Sequence, residues 1–372
     1  MAEEFYDREE EEYPELTLDD PNTINMYKTA ADISNQALER VLAAVVPGAS
    51  VLALCRLGDA ALVEISSRFY SKKKDIIKGI AHPTTVMVNN VVNHFSPLTT
   101  DDVIIKEGDM VKVLLGAHIH GLCSVVGQTV VCLASKETPI IDRQADVLCA
   151  AHFVSEAVLR MLRPGVKNTE IQDMIRRVAA QFDCAPVEGQ VSYEGCQWSL
   201  EGSQVIPNAL TADQRVDTFE ISENTVFHIS VYISTEDGRA KLSDKKTTIY
   251  KRDPHRQYNL KLKTAREAFN TIIQEYSDFS FSLRQLDDLN PRLRLGITEM
   301  AKHDVVVGYP VEEERNSGAA VAQVSFTALV LPNQTQRLLK VVQPNIVSSS
   351  KSIQDEEIKA LLATEVEKKK KK

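Results

Sequence analysis

The sequence predicts an α/β body in which two similarly built helix pairs face antiparallel strands, with a helical insertion late in the chain. Three observations predict it. Two apolar helical stretches each stop at a Pro-Gly step, Pro47-Gly48 and Pro164-Gly165, and each is followed by an amphipathic helix. The two steps stand 117 positions apart, Gly48 to Gly165, as in an internal duplication with a pseudo-twofold axis. Long apolar runs bounded by turn residues, such as 225–234 and 321–331, read as core strands.

The elements follow in order. Residues 1–20 hold ten Asp or Glu against Arg8 alone, too acidic to pack, and are expected to be a disordered tail. A helix starts at Thr23 as N-cap and carries Ile33, Ala37, Val41, Ala44 and Val45 on one stripe. The next helix shows Leu62, Ile65 and Phe69 on one face and ends in Lys72-Lys73-Lys74. Residues 110–117 and 122–133 flank the turn His118 to Gly121 and read as a hairpin. A long helix over about 145–162 is followed by one capped by Asn168 or Thr169 and running to Phe182. In the strand 225–234, Phe227, Ile229, Val231 and Ile233 share one face. Between Lys251 and Gly308 the pattern turns helical, clearest over 265–276. The expected organisation is therefore a tail (1–20), a first part of the core (21–250), a helical insertion (251–308), the last core strands (309–345) and a C-terminal segment (346–372) with a lysine-rich end.

The composition narrows the class. At 372 residues, with 43% hydrophobic and 26% charged content, the chain has the profile of a soluble globular protein with ample core. Residues 2–15 are polar and acidic, unlike a secretory signal, and no apolar run reaches the roughly 20 residues of a membrane span. The six cysteines, at 55, 123, 132, 149, 184 and 196, form no C-x-x-C pair, so reduced thiols in cytoplasm or nucleus are expected. The net charge of −9 hides an asymmetry: residues 239–266 hold ten Lys or Arg against Asp244 and Asp253, and the chain ends in Lys368 to Lys372.

The common catalytic and nucleotide-binding motifs are missing. There is no G-x-G-x-x-G after a strand, no phosphate loop of the G-x-x-x-x-G-K-[ST] type, no G-x-S-x-G and no H-E-x-x-H. His118 and His120 flank a turn, but no carboxylate on the adjoining strands completes a metal site; His228, sharing a face with Ser230, reads as a hydrogen-bonded, semi-buried histidine.

Several segments resemble one family. They are Ile80-Ala81-His82-Pro83-Thr84, Asn89-Asn90, His94-Phe95-Ser96-Pro97, the hairpin, Gly58-Asp59-Ala60, Ala240-Lys241, Thr247 to Pro254, Lys263-Thr264, Ala322-Gln323 before Thr327, and Lys359-Ala360-Leu361-Leu362. Together they are similar to type 2 methionine aminopeptidases, and more so to their non-enzymatic relatives, the proliferation-associated or ErbB-receptor-binding proteins, a group that includes a curved-DNA-binding protein. The resemblance runs in order over about 22–372. It implies the pita-bread fold: pseudo-twofold helix pairs on a curved, antiparallel-rich sheet. Active members hold two divalent ions with two Asp, one His and two Glu, because hard ions need oxygen and imidazole donors and the metal pair generates hydroxide. Carried over position by position, those ligands fall on Leu114, Val125, Ser192 (or Tyr193), Ser230 and Ser325. None keeps a carboxylate or imidazole, so the resemblance implies a pseudoenzyme with no metal cofactor and no catalytic residue. His94, which contacts substrate in the enzymes, marks a vestigial pocket.

The basic residues then become the candidate function. Lys245, Lys246, Lys251, Arg252, Arg256, Lys261, Lys263 and Arg266 interleave with Tyr250, His255 and Tyr258, which can stack on bases, and Lys72, Lys73, Lys74 and Lys78 form a second patch. They are expected to lie exposed and to contact RNA. The resemblance implies association with the large ribosomal subunit and ribosomal RNA, in cytoplasm and in nucleus and nucleolus, with roles in ribosome biogenesis, translation or growth control. The rival readings are a DNA-binding or transcription-factor scaffold on the same surface, and an active metallo-aminopeptidase using other ligands. A monomer without membrane insertion is expected. A nuclear-receptor box is described in relatives, but Ile358 stands where that motif has its first leucine, and an ordinary amphipathic turn is the expectation.

Overall fold

The computed structural model describes residues 16–133, 138–339 and 347–366. Its helices are α1 (Pro21–Ala43), α2 (Val51–Arg68), α3 (Asp142–Met161), α4 (Asn168–Ala180), α5 (Lys263–Tyr276), α6 (Leu283–Leu289), α7 (Arg294–Lys302) and α8 (Glu356–Leu362). Its strands are β1 (Lys78–Val88), β2 (Val91–Asn93), β3 (Met110–Ile119), β4 (Leu122–Val131), β5 (Ala185–Pro186), β6 (Val191–Glu194), β7 (Val205–Pro207), β8 (Thr225–Ser234), β9 (Ala240–Leu242), β10 (Ile249–Arg252), β11 (Phe281–Ser282), β12 (Val306–Tyr309), β13 (Glu312–Glu314), β14 (Val321–Leu331) and β15 (Gln334–Arg337). The main sheet runs β1-β3-β4-β14-β8-β6-β7, with β15 on β14 and β5 on β8, and its pairings are antiparallel.

The predicted duplication is visible in the backbone. After α1 the chain turns at Pro47-Gly48, where Gly48 takes φ 89°, and after α3 it turns at Pro164-Gly165, where Gly165 takes φ 85°, a left-handed region that favours glycine. Gly48 N–H donates to Ile105 O at 2.8 Å while Ile105 N–H returns to Ala49 O; Gly165 N–H donates to Ile221 O at 2.9 Å while Ile221 N–H returns to Val166 O. The two corners thus close by the same reciprocal pair of bonds. Pairs α1/α2 and α3/α4 cover one face of the sheet, and one large core gathers Ile33, Val41, Leu62, Val147, Val154 and Val178 against Val113, Leu115, Ile229 and Phe326. This is the pita-bread architecture.

The insertion differs from the expected one. Its helices α5, α6 and α7 pack on a small sheet of their own, β11-β10-β12, around a second core that includes Ala265, Ile272, Phe281, Leu286 and Met300. The short strands carry too few residues to show a period of two in sequence. Arg284 on α6 ties this unit to the body. It is 2% exposed, donates to Asp59 Oδ2 at 2.5 Å, and also reaches the Ser96 hydroxyl.

The N-terminal end also departs from expectation. Of the acidic tail, 1–15 lies outside the described residues, but Leu18 is buried with Tyr27, Leu122 and Leu329, and Asp20 rather than Thr23 caps α1. The apolar side chain at Leu18 overrides the local charge. The tail lysines 368–372 lie outside the described residues. Helix α8 turns inward: Ile358 is fully buried, Leu361 and Leu362 pack on the main core, and Arg177 holds Asp355 at 2.7 Å and Glu357 at 2.8 Å. The receptor-box-like segment is thus the amphipathic turn expected for it.

Candidate functional site

The five positions to which the resemblance assigns metal ligands converge at the centre of the main sheet. Strand pairing sets Leu114 opposite Gly127 and Gly116 opposite Val125, so Leu114 and Val125 share a face across β3 and β4. A methyl group on Gly127 would stand 2.9 Å from Leu114 Cδ1 and 3.2 Å from Ser325 Cβ, which shows how closely β3, β4 and β14 meet there. Ser325 lies opposite Ser230 on β8, with their hydroxyls 3.0 Å apart. Ser230 N–H donates to Ser192 Oγ at 2.9 Å, bringing in β6. Gln323 Nε2 donates to Ser325 Oγ at 2.9 Å and to the Tyr232 hydroxyl at 2.8 Å.

This site does not fit a pair of divalent ions. Leu114 and Val125 are aliphatic, buried and without lone pairs. The three serines are neutral donors already engaged with one another and with Gln323. Tyr193, the alternative to Ser192, is a phenol whose burial pushes its pKa up to about 12, so it offers no anion at neutral pH. Hydrogen bonds link Ser192, the Ser230 backbone and hydroxyl, Ser325, Gln323 and Tyr232 within the sheet, and leave the buried Gln323 Oε1 without a partner among the described residues.

Three histidines stand around this centre. His228 is buried and its Nδ1 lies 3.0 Å from Thr327 Oγ1, as the sequence reading expected. His94 adopts φ 62°, with Nδ1 3.1 Å from Pro310 O and its ring 5.1 Å from that of Tyr309. His82 Nδ1 lies 2.8 Å from Pro83 O. Burial lowers all three pKa values to about 4, so each is neutral at pH 7. His118 packs on Phe279 with centroids 4.6 Å apart, and both it and His120 meet Trp198. It is a core histidine, with burial pushing its pKa down to about 3.

His94 opens onto a cavity of about 50 Å³ that also involves His82, Glu201, Lys251, Asp278, Phe279, Ser280 and Tyr309. Beyond it lies a wider cleft of about 400 Å³ bordered by Trp198, Arg252 and His255. Sequence reasoning missed Trp198, Glu201, Asp278 and Tyr309. The one available signal was the chain's single tryptophan, sitting between Gly195 and Gly202 in a polar loop.

The basic window is the open surface expected except at Lys245, Lys251 and Arg252, which are half-buried. Lys251 is 19% exposed and holds Glu201 Oε2 at 3.0 Å, and Arg252 is 21% exposed and pairs with Asp278. Both are the last residues of strand β10, and both line the cleft. Lys245 lies 4.0 Å from Glu313 and Lys246 3.4 Å from Asp101. Arg256 reaches Asp304 at 3.3 Å, Lys263 reaches Glu267 at 3.6 Å, and Arg266 donates to the carbonyls of Leu260 and Lys261. Acidic residues distant in sequence pair with several of these cations, and Lys246, Arg256, Lys261, Lys263 and Arg266 remain exposed. Tyr250 stacks on Phe281 and Tyr258 on His303, so both rings are committed to the insertion. In the other patch, Lys72, Lys73 and Lys74 are exposed and form no ion pair among the described residues. Lys78 is half-buried and donates to the carbonyls of Ser67 and Phe69 at the end of α2.

Comparison with known proteins agrees with this architecture. The profile of metallopeptidase family M24 matches residues 25–253. The ERBB-3 binding protein 1 of Solanum tuberosum is 40% identical over 365 residues, covering 98% of this chain and 93% of that protein. The curved DNA-binding protein of Schizosaccharomyces pombe is 33% identical over 360 residues, covering 95% and 92%. The solved structure of a thermophilic Arx1 superposes with a TM-score of 0.87 at 27% identity, over 94% of this chain and all of that one.

Proposed function

The chain belongs to metallopeptidase family M24, and from that membership we propose that it is a catalytically inactive member that binds the large ribosomal subunit through ribosomal RNA. On this reading it acts in ribosome biogenesis, translation or growth control, in cytoplasm and in nucleus and nucleolus, as a monomer. The observation that carries the loss of catalysis is the Ser230–Ser325 contact beside Leu114, which puts a hydrogen-bonded pair and an alkyl group where carboxylates would hold the ions. The RNA reading draws on exposed cations at Lys72, Lys73 and Lys74, on Arg256 and Lys261 in the insertion, and on Lys263 at the start of α5. The family resemblance points them toward a dense RNA phosphate surface.

One experiment tests it: co-pelleting of the full chain with purified large subunits across a salt series. The logarithm of affinity is expected to fall by about 0.7–0.9 per neutralised phosphate for each log unit of salt. No co-pelleting at low salt sinks the reading. The relative called a curved DNA-binding protein favours a second reading, a DNA-binding scaffold; duplex DNA that strips the chain from subunits at equal phosphate concentration would select it.

A further inference from the structure

Lys251 and Arg252 sit in the wall of the roughly 400 Å³ cleft, between the loop that carries Trp198 and the strands β10 and β12 of the insertion. The wall alternates in charge. Lys251 holds Glu201, Arg252 holds Asp278, and the Tyr309 hydroxyl donates to Glu201 Oε1 at 2.7 Å. Asp253 faces its own loop, accepting the His255 N–H at 2.9 Å. Two buried polar atoms lining the cleft and its inner cavity, Arg252 Nε and Ser280 Oγ, have no hydrogen-bond partner among the described residues.

That pattern selects a chemistry. A phosphate wants donors only, and an ammonium wants acceptors only. A wall that offers both suits a planar, neutral group whose edge carries donors and acceptors side by side. Trp198 supplies a ring beside that wall, and His255 borders the same space. Past the cleft the chain continues through exposed Arg256, Lys261 and Lys263, placed to meet the phosphates flanking such a group.

We propose that this cleft takes one unpaired nucleobase of an RNA strand, stacked on Trp198, with its edge read by Lys251, Arg252 and their carboxylate partners. This rests on the RNA-binding reading above and refines it: Lys251 and Arg252 read a base, and the phosphate contacts lie elsewhere. Stacking on an aromatic side chain is strong enough to matter in such a site.

Trp198 is the only tryptophan, so its emission reports on the cleft directly. The test titrates the full chain with an unstructured RNA pentanucleotide, with the matching abasic ribose-phosphate pentamer, and with a tripeptide bearing a free N-terminus. The expected result is saturable quenching by the pentanucleotide, none by the abasic strand, and roughly tenfold weaker quenching affinity in Arg252→Met and Lys251→Met. Circular dichroism confirms that each variant is folded, and the wild-type titration stands even where a variant is not. Unchanged emission from a chain that still pellets with large subunits overturns the base site and leaves the ribosome reading standing. Failure to pellet, with base-dependent quenching intact, overturns the ribosome reading and leaves the base site. Quenching by the tripeptide and not by RNA makes the cleft a peptide site and overturns the proposal.

Discussion

Ser230 and Ser325 face each other across β8 and β14 with their hydroxyls 3.0 Å apart. Two carboxylates in those places would repel unless an ion lay between them, whereas two hydroxyls attract and need nothing more. The chain is therefore expected to release no methionine from Met-Ala-type peptides in the presence of cobalt, manganese or zinc. Turnover that survives purification and disappears with a chelator would refute this.

Exposed and buried cations should behave differently on charge reversal. Changing Lys72, Lys73 and Lys74 to Glu is expected to weaken large-subunit binding and flatten its salt dependence, with the melting temperature near that of the parent, because exposed charges contribute little to stability. Changing Lys251 and Arg252 to Glu sets like charges against Glu201 and Asp278, and thermal melts should show a clear loss of stability. Equal melting temperatures for the two variants would contradict the placement of these side chains.

Lys112 is fully buried on β3, donates to Asn89 O at 2.8 Å, and has its pKa pushed down to about 7 by burial. Asn89 O also accepts from Val321 N–H, so the carbonyl keeps a partner without the lysine. Lys112→Met is expected to stabilise the fold at pH 7 by about 1–3 kcal/mol, read from urea melts, by removing a costly buried amine. The gain should grow as pH falls from 10.5 toward about 7, the range in which the unfolded chain holds a proton that the folded one sheds, and level off below about 7, where both states hold it. A destabilised variant would mean that the amine is better solvated than its burial indicates.

His118 and His228 are buried and held neutral, with pKa values near 3 and 4 against an unfolded value of 6.5. The unfolded chain binds protons that the folded one rejects. Their contribution is therefore fully present above pH 6.5 and is lost as pH falls, down to about 4 for His228 and about 3 for His118. Denaturant melts at pH 7, 6, 5 and 4.5 should show stability declining, each histidine contributing at most about 3 kcal/mol over that range. His228→Gln, which keeps a polar group near Thr327, should flatten part of the slope. An unchanged slope would assign the acid sensitivity to other groups.

Much of the body was legible in the sequence because its signals are local. Strands at 225–234 and 321–331 match their predicted bounds, and the Pro-Gly corners at 48 and 165 announced the repeated helix pairs. The reading of Leu114, Val125, Ser230 and Ser325 as lost ligand positions came from the resemblance alone, since nothing in their own neighbourhoods marks them. What the sequence hid depends on partners far along the chain. The basic window looked open throughout because Glu201, Asp278, Glu313 and Asp101 all stand outside it in a linear reading, yet fold against Lys251, Arg252, Lys245 and Lys246. The cleft was invisible for the same reason: Trp198, Arg252 and Tyr309 belong to three separate segments.

The buried contact between Arg284 and Asp59 has a consequence for how the molecule comes apart. Arg284 belongs to the insertion and Asp59 to helix α2 of the body, and neither charge can be left alone in the interior without a cost of several kcal/mol. The insertion is therefore riveted to the body rather than hung from it. Amide exchange in α5 and α6 should be governed by opening of the whole molecule, with protection close to that of α2, instead of by the separate fraying of an appendage.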